Sequence, residues 1–268
     1  MTELSVTGLI GALGLALGSF LNVCIYRLPK GQSVLGQSSR CPVCERELRW
    51  FENVPVLAWV LLGGRCRICK AAVSPTYPIV ELATAALFMF YYWHFGLQPL
   101  LIVRLLFAAS MVVLCVVDFQ TRELPGVITV PGMAIGLGVS LLLEPGWPAS
   151  LIGVVTGGGY LWLINKLYLQ LCGREGIGSG DVKLLAMIGA FRGWEDAFVT
   201  LWIGSLFGLV IAGLRFTLRK KVRGYRFPLG SFLSGVALVP TYQPLLGWYV
   251  RSYYQFYCRI TDWFMDFG

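Results

Sequence analysis

Two aspartates and two cysteine pairs carry the residue types that could do chemistry in this chain. Asp118 ends the apolar run Leu105–Val117 and opens Asp118-Phe119-Gln120-Thr121-Arg122-Glu123-Leu124-Pro125. Asp181 ends Gly178-Ser179-Gly180-Asp181 and leads into a second apolar run, Val182–Phe191. An acid beside hydrocarbon is costly, so one at membrane depth is a functional candidate by default. Read on composition alone, either acid also fits a helix N-cap or a solvated loop end. If the two meet, they form a carboxyl pair suited to peptide hydrolysis. Close carboxylates cannot both ionise cheaply, so the pair holds one proton near neutral pH. The ionised member takes a proton from water and the protonated one donates to the scissile carbonyl. Gly176, Gly178 and Gly180 would let a substrate backbone approach Asp181.

Cys41-Pro42-Val43-Cys44 and Cys66-Arg67-Ile68-Cys69 are C-x2-C pairs with 21 residues between them. Each tight turn offers two thiolates, and two turns complete a tetrahedral zinc site. Four sulfur ligands leave no open position, so the expected role of Cys41, Cys44, Cys66 and Cys69 is structural. Metal binding would supply folding energy to a unit too small for much of a core. Cys24, Cys115, Cys172 and Cys258 lie in or near apolar runs and read as small buried residues.

The elements that must position these groups are membrane helices. The chain has 268 residues, is 56% hydrophobic and is only 13% charged, about half the charge fraction of a soluble domain. Apolar runs near spanning length fall at about 4–25, 77–95, 100–117, 127–143, 149–170, 182–194, 197–217 and 229–250. The sixth run is short, about 20 Å as a helix, and suits a half-span or a span across a locally thinned bilayer. The basic excess, 22 residues against 14 acidic ones, sits in a few loops rather than on a nucleic-acid surface. Eight Lys or Arg lie in 26–76, a second group lies in 215–226, and the loops near 96–99 and 144–148 have none. This pattern places Arg27 and Lys30 in the cytoplasm, and both aspartates fall on that side. The first run lacks a basic n-region and a cleavage site and reads as a transmembrane helix rather than a signal peptide.

The expected fold is therefore all-α: a polytopic membrane protein of about eight transmembrane helices with a small inserted cytoplasmic zinc-binding domain. Residues 1–26 form the first transmembrane helix, 27–76 the tetracysteine unit and 77–268 the membrane core. His94, the only histidine, reads as an interfacial residue, as do Trp93, Trp147, Trp248 and Tyr249. Lys183 stands two residues past Asp181, where it can act on a nearby carboxylate or mark the basic side. Two other classes fit parts of this pattern: a proton-coupled transporter whose acids relay protons, and a zinc-binding membrane scaffold without chemistry.

The motifs together resemble a family. Gly178-Ser179-Gly180-Asp181-Val182-Lys183 looks like the GxGD motif of intramembrane aspartyl proteases, in the form used by type IV prepilin peptidases. Asp118-Phe119-Gln120-Thr121 with Leu124-Pro125 resembles that family's first aspartate motif, and Gly18-Ser19-Phe20-Leu21-Asn22 with Tyr26-Arg27-Leu28-Pro29 its N-terminal signature. The cysteine pairs, Tyr77-Pro78-Ile79-Val80-Glu81 and Phe227-Pro228-Leu229-Gly230-Ser231-Phe232 follow in the family's order. Two positions depart from it: Gly126 where many members have Asp, and Ser231 where many have Pro.

The resemblance implies catalytic roles for Asp118 and Asp181 at the cytoplasmic face of a bacterial inner membrane. It implies removal of the basic leader from type IV prepilins and type II secretion pseudopilins. It further implies methylation of the new N-terminus with S-adenosylmethionine, with a peptidase lacking that second activity as the variant within the family. The partners expected are pilin-like precursors and the lipid bilayer, and no nucleic acid. No G-x-G-x-x-G lies between a strand and a helix, so no cofactor-binding residue is assigned. Asn22, Arg27 and Glu81 flank the inserted unit, where Arg27 suits a carboxylate and Glu81 an amine.

Overall fold

The computed structural model describes residues 3–34, 39–173, 176–219 and 228–239. They form eight helices: α1 (Glu3–Arg27), α2 (Leu57–Leu61), α3 (Thr76–Phe95), α4 (Pro99–Thr121), α5 (Gly126–Val139), α6 (Trp147–Cys172), α7 (Ser179–Arg219) and α8 (Leu229–Ala237). No strand occurs among the described residues, only two isolated bridges.

Local chemistry sets the helix ends. Pro99 and Pro148 open α4 and α6 in the first turn, where a missing N–H costs nothing. Arg122 ends α4 in the left-handed region, its N–H returning to the Asp118 carbonyl at 2.8 Å. Gly173 closes α6 in the same way on Leu169. Glu3 and Arg27 sit at the two ends of α1 with the signs that suit its dipole.

Four segments are long and apolar enough to cross a membrane: Glu3–Lys30, Pro99–Thr121, Trp147–Cys172 and Ser179–Leu214. Helix α3 has 20 residues, about 30 Å, and runs antiparallel to α1 over its whole length. Trp93 Nε1 donates to Thr7, Gly11 faces Met89, Gly14 faces Ala85, Gly18 faces Glu81, and Asn22 Nδ2 donates to the Tyr77 carbonyl at 3.0 Å. A partner paired end to end with a spanning helix spans with it. Side chains such as Ile102, Leu106, Trp162, Leu206 and Phe207 are exposed on the outer surface, as a hydrocarbon solvent requires.

Helix α7 joins the sixth and seventh apolar runs. It breaks at Gly193, whose φ of 83° is a left-handed conformation that glycine tolerates. The first limb lies against α6, with Gly157 on Leu185 and Gly158 on Ala186. Along α8, Gly230 meets Asp181, Leu233 meets Gly204, and the Ala237 carbonyl meets Arg192. The two limbs thus run along α8 in opposite directions, and the chain reverses at one glycine. Helix α5 stops at Val139, short of the expected 143, because Leu141–Leu143 continue as hydrogen-bonded turn. The expected eighth run begins as α8, and its part beyond 239 lies outside the described residues, as do Trp248, Tyr249, Cys258 and most of the basic stretch at 219–226.

Two apolar clusters share α4. One joins it to α1 and α3 through Leu21, Val80, Phe88 and Val113. The other joins it to α7 and α8 through Met111, Leu114, Leu184, Ile188 and Leu233. Packing on both sides fixes α4, and Asp118 rides in its last turn.

Candidate active site

Asp118 is 4% exposed. A carboxyl buried this deeply needs donors, and α8 supplies two. The Ser231 N–H donates to Oδ2 at 2.6 Å and the Ser231 hydroxyl approaches the same oxygen at 2.8 Å. That hydroxyl also lies 3.0 Å from the Cys115 carbonyl, while the Cys115 thiol donates to the Ser231 carbonyl at 3.4 Å. Both donors fall on Oδ2, which leaves Oδ1 as the oxygen for water or substrate. Ser231 and Cys115 thus lock the end of α4 to the start of α8.

Asp181 is the third residue of α7, half-buried, with its N–H on the Gly178 carbonyl at 3.1 Å. The loop before it is held by Asn165, whose Oδ1 accepts the N–H groups of Gly176 and Ile177 at 3.1 and 3.0 Å. A Cβ on Gly178 would stand 3.2 Å from Asp181 Oδ2.

The two acids meet at Gly230. A Cβ there would stand 3.1 Å from Asp118 Cγ and 3.1 Å from Asp181 Oδ1. The carboxylates therefore converge on one point and lie no farther apart than twice that distance. The same Cβ would press on Leu124 Cδ1 at 2.8 Å, and Leu124 also abuts Gly180. Leu124 thus packs against the glycines on both partner elements. Lys183 is exposed, with Nζ 4.0 Å from where a Gly126 side chain would begin. Among the described residues no salt bridge joins it to either aspartate.

A further buried acid, Asp196, was not singled out in the sequence. It pairs with Arg192 at 2.8 Å, and Arg192 donates to the carbonyls of Ala237, at the end of α8, and Val239 just beyond it, at 2.6 and 3.1 Å. Its role is to anchor α8. The i, i+4 spacing of Arg192 and Asp196 was the available signal.

The two cysteine turns are local copies of each other. In each, the first cysteine's N–H bonds the carbonyl five residues on, from Arg46 or Ala71, and its own carbonyl accepts from Glu45 or Lys70. Glu45 and Lys70 both take positive φ. The four sulfurs lie within 4.8 Å of one another, and the Cys41 and Cys69 sulfurs are 3.8 Å apart. A tetrahedron of 2.3 Å zinc–sulfur bonds has edges of about 3.8 Å, so the arrangement fits such an ion. The N–H groups of Cys69 and Ile68 bring the Cys66 thiol down to about 6, toward the thiolate a metal requires. Arg46 braces the unit. Its fork meets Glu52 at 2.9 and 2.7 Å, and one nitrogen approaches Cys66 Sγ at 3.9 Å. Of the remaining cysteines, Cys24 is buried and Cys115 half-buried, but Cys172 is exposed, because α6 ends there beyond its packing on α7.

Between this unit and the helices lies a cavity of about 810 Å³. Ser19, Asn22, Arg27 and Glu81 line it from α1 and α3, Trp59 from α2, and Gln120 from α4. The cavity therefore reaches the last turn of α4. Glu81 is buried, and its Oε2 accepts the Val56 N–H at 2.7 Å.

Fold and site together define a polytopic helical membrane protein with a paired-aspartate centre and a tetracysteine unit. Residues 12–95 match the bacterial peptidase A24 N-terminal domain, and residues 105–213 match the type IV leader peptidase family. The chain is 35% identical over 250 residues to the prepilin leader peptidase/N-methyltransferase of Pseudomonas aeruginosa PAO1, covering 83% of this chain and 85% of the relative. The corresponding protein of Neisseria gonorrhoeae is 30% identical, covering 99% and 98%. That of Burkholderia pseudomallei strain 1026b is 36% identical, covering 83% and 80%. No solved structure matches the chain. The chain belongs to the type IV leader peptidase family.

Proposed function

We propose that this protein cleaves the leader from type IV prepilins and pseudopilins and then methylates the new N-terminus. The observation that carries the peptidase half is the convergence of Asp118 and Asp181 on Gly230. One carboxylate removes a proton from water as the water oxygen attacks the scissile carbonyl. The other carboxyl gives its proton to the forming oxyanion. The tetrahedral intermediate then collapses, the C–N bond breaks, and the departing amine takes up a proton. Asp118 Oδ2 is occupied by Ser231 throughout, so Oδ1 acts. Glycine at 230 lets both carboxyls approach one point, and glycine before the cut would ease local unwinding of a helical substrate.

The four cysteines hold structural zinc in residues 27–76, and residues 77–268 carry the peptidase core. S-adenosylmethionine supplies an activated methyl group, and the large cavity suits a ligand of that size. Ser19, Asn22, Arg27, Glu81 and Trp59 would hold it. The cavity reaches the last turn of α4 at Gln120, the turn that also carries Asp118. Both acids sit at the membrane edge on the Arg27 side, which the charge pattern assigns to the cytoplasm of a bacterial inner membrane. Acids gathered at one face suit hydrolysis better than a proton relay, which needs them spaced through the bilayer.

Mass spectrometry of a precursor pilin incubated with the purified protein tests both halves. Cleavage is expected without cofactor, and a further methyl mass with S-adenosylmethionine. Asp118→Asn or Asp181→Asn is expected to abolish cleavage while membrane insertion persists. Wild-type rates from either variant would refute the dyad.

A further inference from the structure

The strongest unexplained feature outside the aspartate site is the outer face of α2. Leu57, Val60 and Leu61 are 59%, 60% and 82% exposed. They stand at i, i+3 and i+4, one face of the helix. The opposite side, Ala58 and Trp59 with Leu62 just past the helix end, lines the cavity. The helix is thus apolar on the side turned away from its own protein.

Its depth explains this. Val56, the residue before α2, gives its N–H to Glu81. Glu81 faces Gly18 of α1, seven residues before the apolar run ends at Ile25, about 10 Å inside that end. Val56 reaches this position at φ 61°, unusual for a β-branched residue. The inserted unit is therefore tied below the membrane edge and does not stand clear of it. Exposed Arg49, Arg65, Arg67 and Lys70 surround the same unit, complementary to anionic headgroups. Trp50 is 83% exposed, as an interfacial anchor would be.

We propose that α2 is embedded in the interfacial layer of the bilayer on the Arg27 side, with Leu57, Val60 and Leu61 in contact with lipid. The occupant of this face is the lipid leaflet itself. Helix α2 then forms the wall between hydrocarbon and the cavity behind it. Non-helical backbone at such depth is tolerated because it lines a cavity. The inference rests on the membrane fold and holds whether or not the aspartates are catalytic.

The test places the photo-crosslinker p-benzoylphenylalanine at Leu57 or Leu61 of the full chain. The protein is irradiated in nanodiscs of phosphatidylethanolamine and phosphatidylglycerol and its intact mass is measured. Trp162 of α6, 54% exposed, is the lipid-facing reference position. The expected result is a mass gain of one phospholipid at both α2 positions, as at the reference. A phospholipid adduct at the reference with none at 57 or 61 would overturn the proposal. So would adducts at α2 that form only with an added pilin precursor, which would make the face a substrate dock.

Discussion

Gly230→Ala is the perturbation that tests the paired-aspartate geometry most directly. Its methyl would stand 3.1 Å from Asp118 Cγ and Asp181 Oδ1 and 2.8 Å from Leu124 Cδ1. Comfortable contact needs about 3.5–4.0 Å, so each carboxylate must retreat by roughly 0.5 Å. The push comes from the point on which they converge, so their separation grows by up to about 1 Å. Misplacement on that scale costs about 100-fold in rate. Alanine in place of glycine favours a helix by about 1 kcal/mol, so α8 should not unravel. The matched control is Gly235→Ala on the same helix, where the added methyl meets nothing within 4 Å. Initial rates of leader cleavage should show kcat down about 100-fold in Gly230→Ala, with KM little changed and Gly235→Ala near wild type. Full activity in a folded Gly230→Ala protein would mean that the two acids do not act together at this point.

Other outcomes follow from the same contacts. Ser231→Ala removes the hydroxyl on Asp118 Oδ2 and keeps the main-chain donor. Cleavage should slow by about tenfold, the worth of one hydrogen bond to a charged group, and Ser231→Thr should restore it. Elemental analysis should find one zinc per chain, lost in Cys66→Ser together with protease resistance of residues 39–73. The Arg46 fork, with help from the Arg49 N–H, holds the Glu52 carboxyl at about 2, below its ordinary 4.5. A depressed carboxyl stabilises the fold above its unfolded value and loses that contribution as pH falls toward the folded one. The thermal-stability deficit of Glu52→Gln should therefore be full above about pH 4.5 and close as pH falls to about 2. A deficit that persists unchanged to the acid end would remove the ion pair from the account.

Much of the architecture was legible because its causes are local. Hydrocarbon thickness sets a run length, and six of the eight expected spans appear as helices or helix limbs close to their expected bounds. The break between the sixth and seventh runs was legible at 194–197, although a single glycine, Gly193, performs the reversal. The cysteine turns were legible because a C-x2-C knuckle closes on its own backbone. Ser231 was visible only as a departure from a resemblance. Nothing in its flanking residues says that its N–H and hydroxyl serve an acid 113 positions away. Asn165 gave no such sign, because the N–H groups it accepts lie in the loop beyond the end of α6, whereas Asp196 carried a local one in its i, i+4 spacing to Arg192.

The chain's own order of residues determined the class of molecule: its apolar lengths, its basic side, its glycine-flanked acids and its two cysteine pairs, each a property of a short stretch. The tertiary structure decided which groups meet. Only the packing of α4, α7 and α8 brings Asp118 and Asp181 to Gly230, because no covalent path shorter than 63 residues joins the two acids. Only the pairing of α1 with α3 sets the depth of Glu81, and with it the depth of α2. Distance through space between side chains is a result of packing, and packing sums over contacts that no single segment contains.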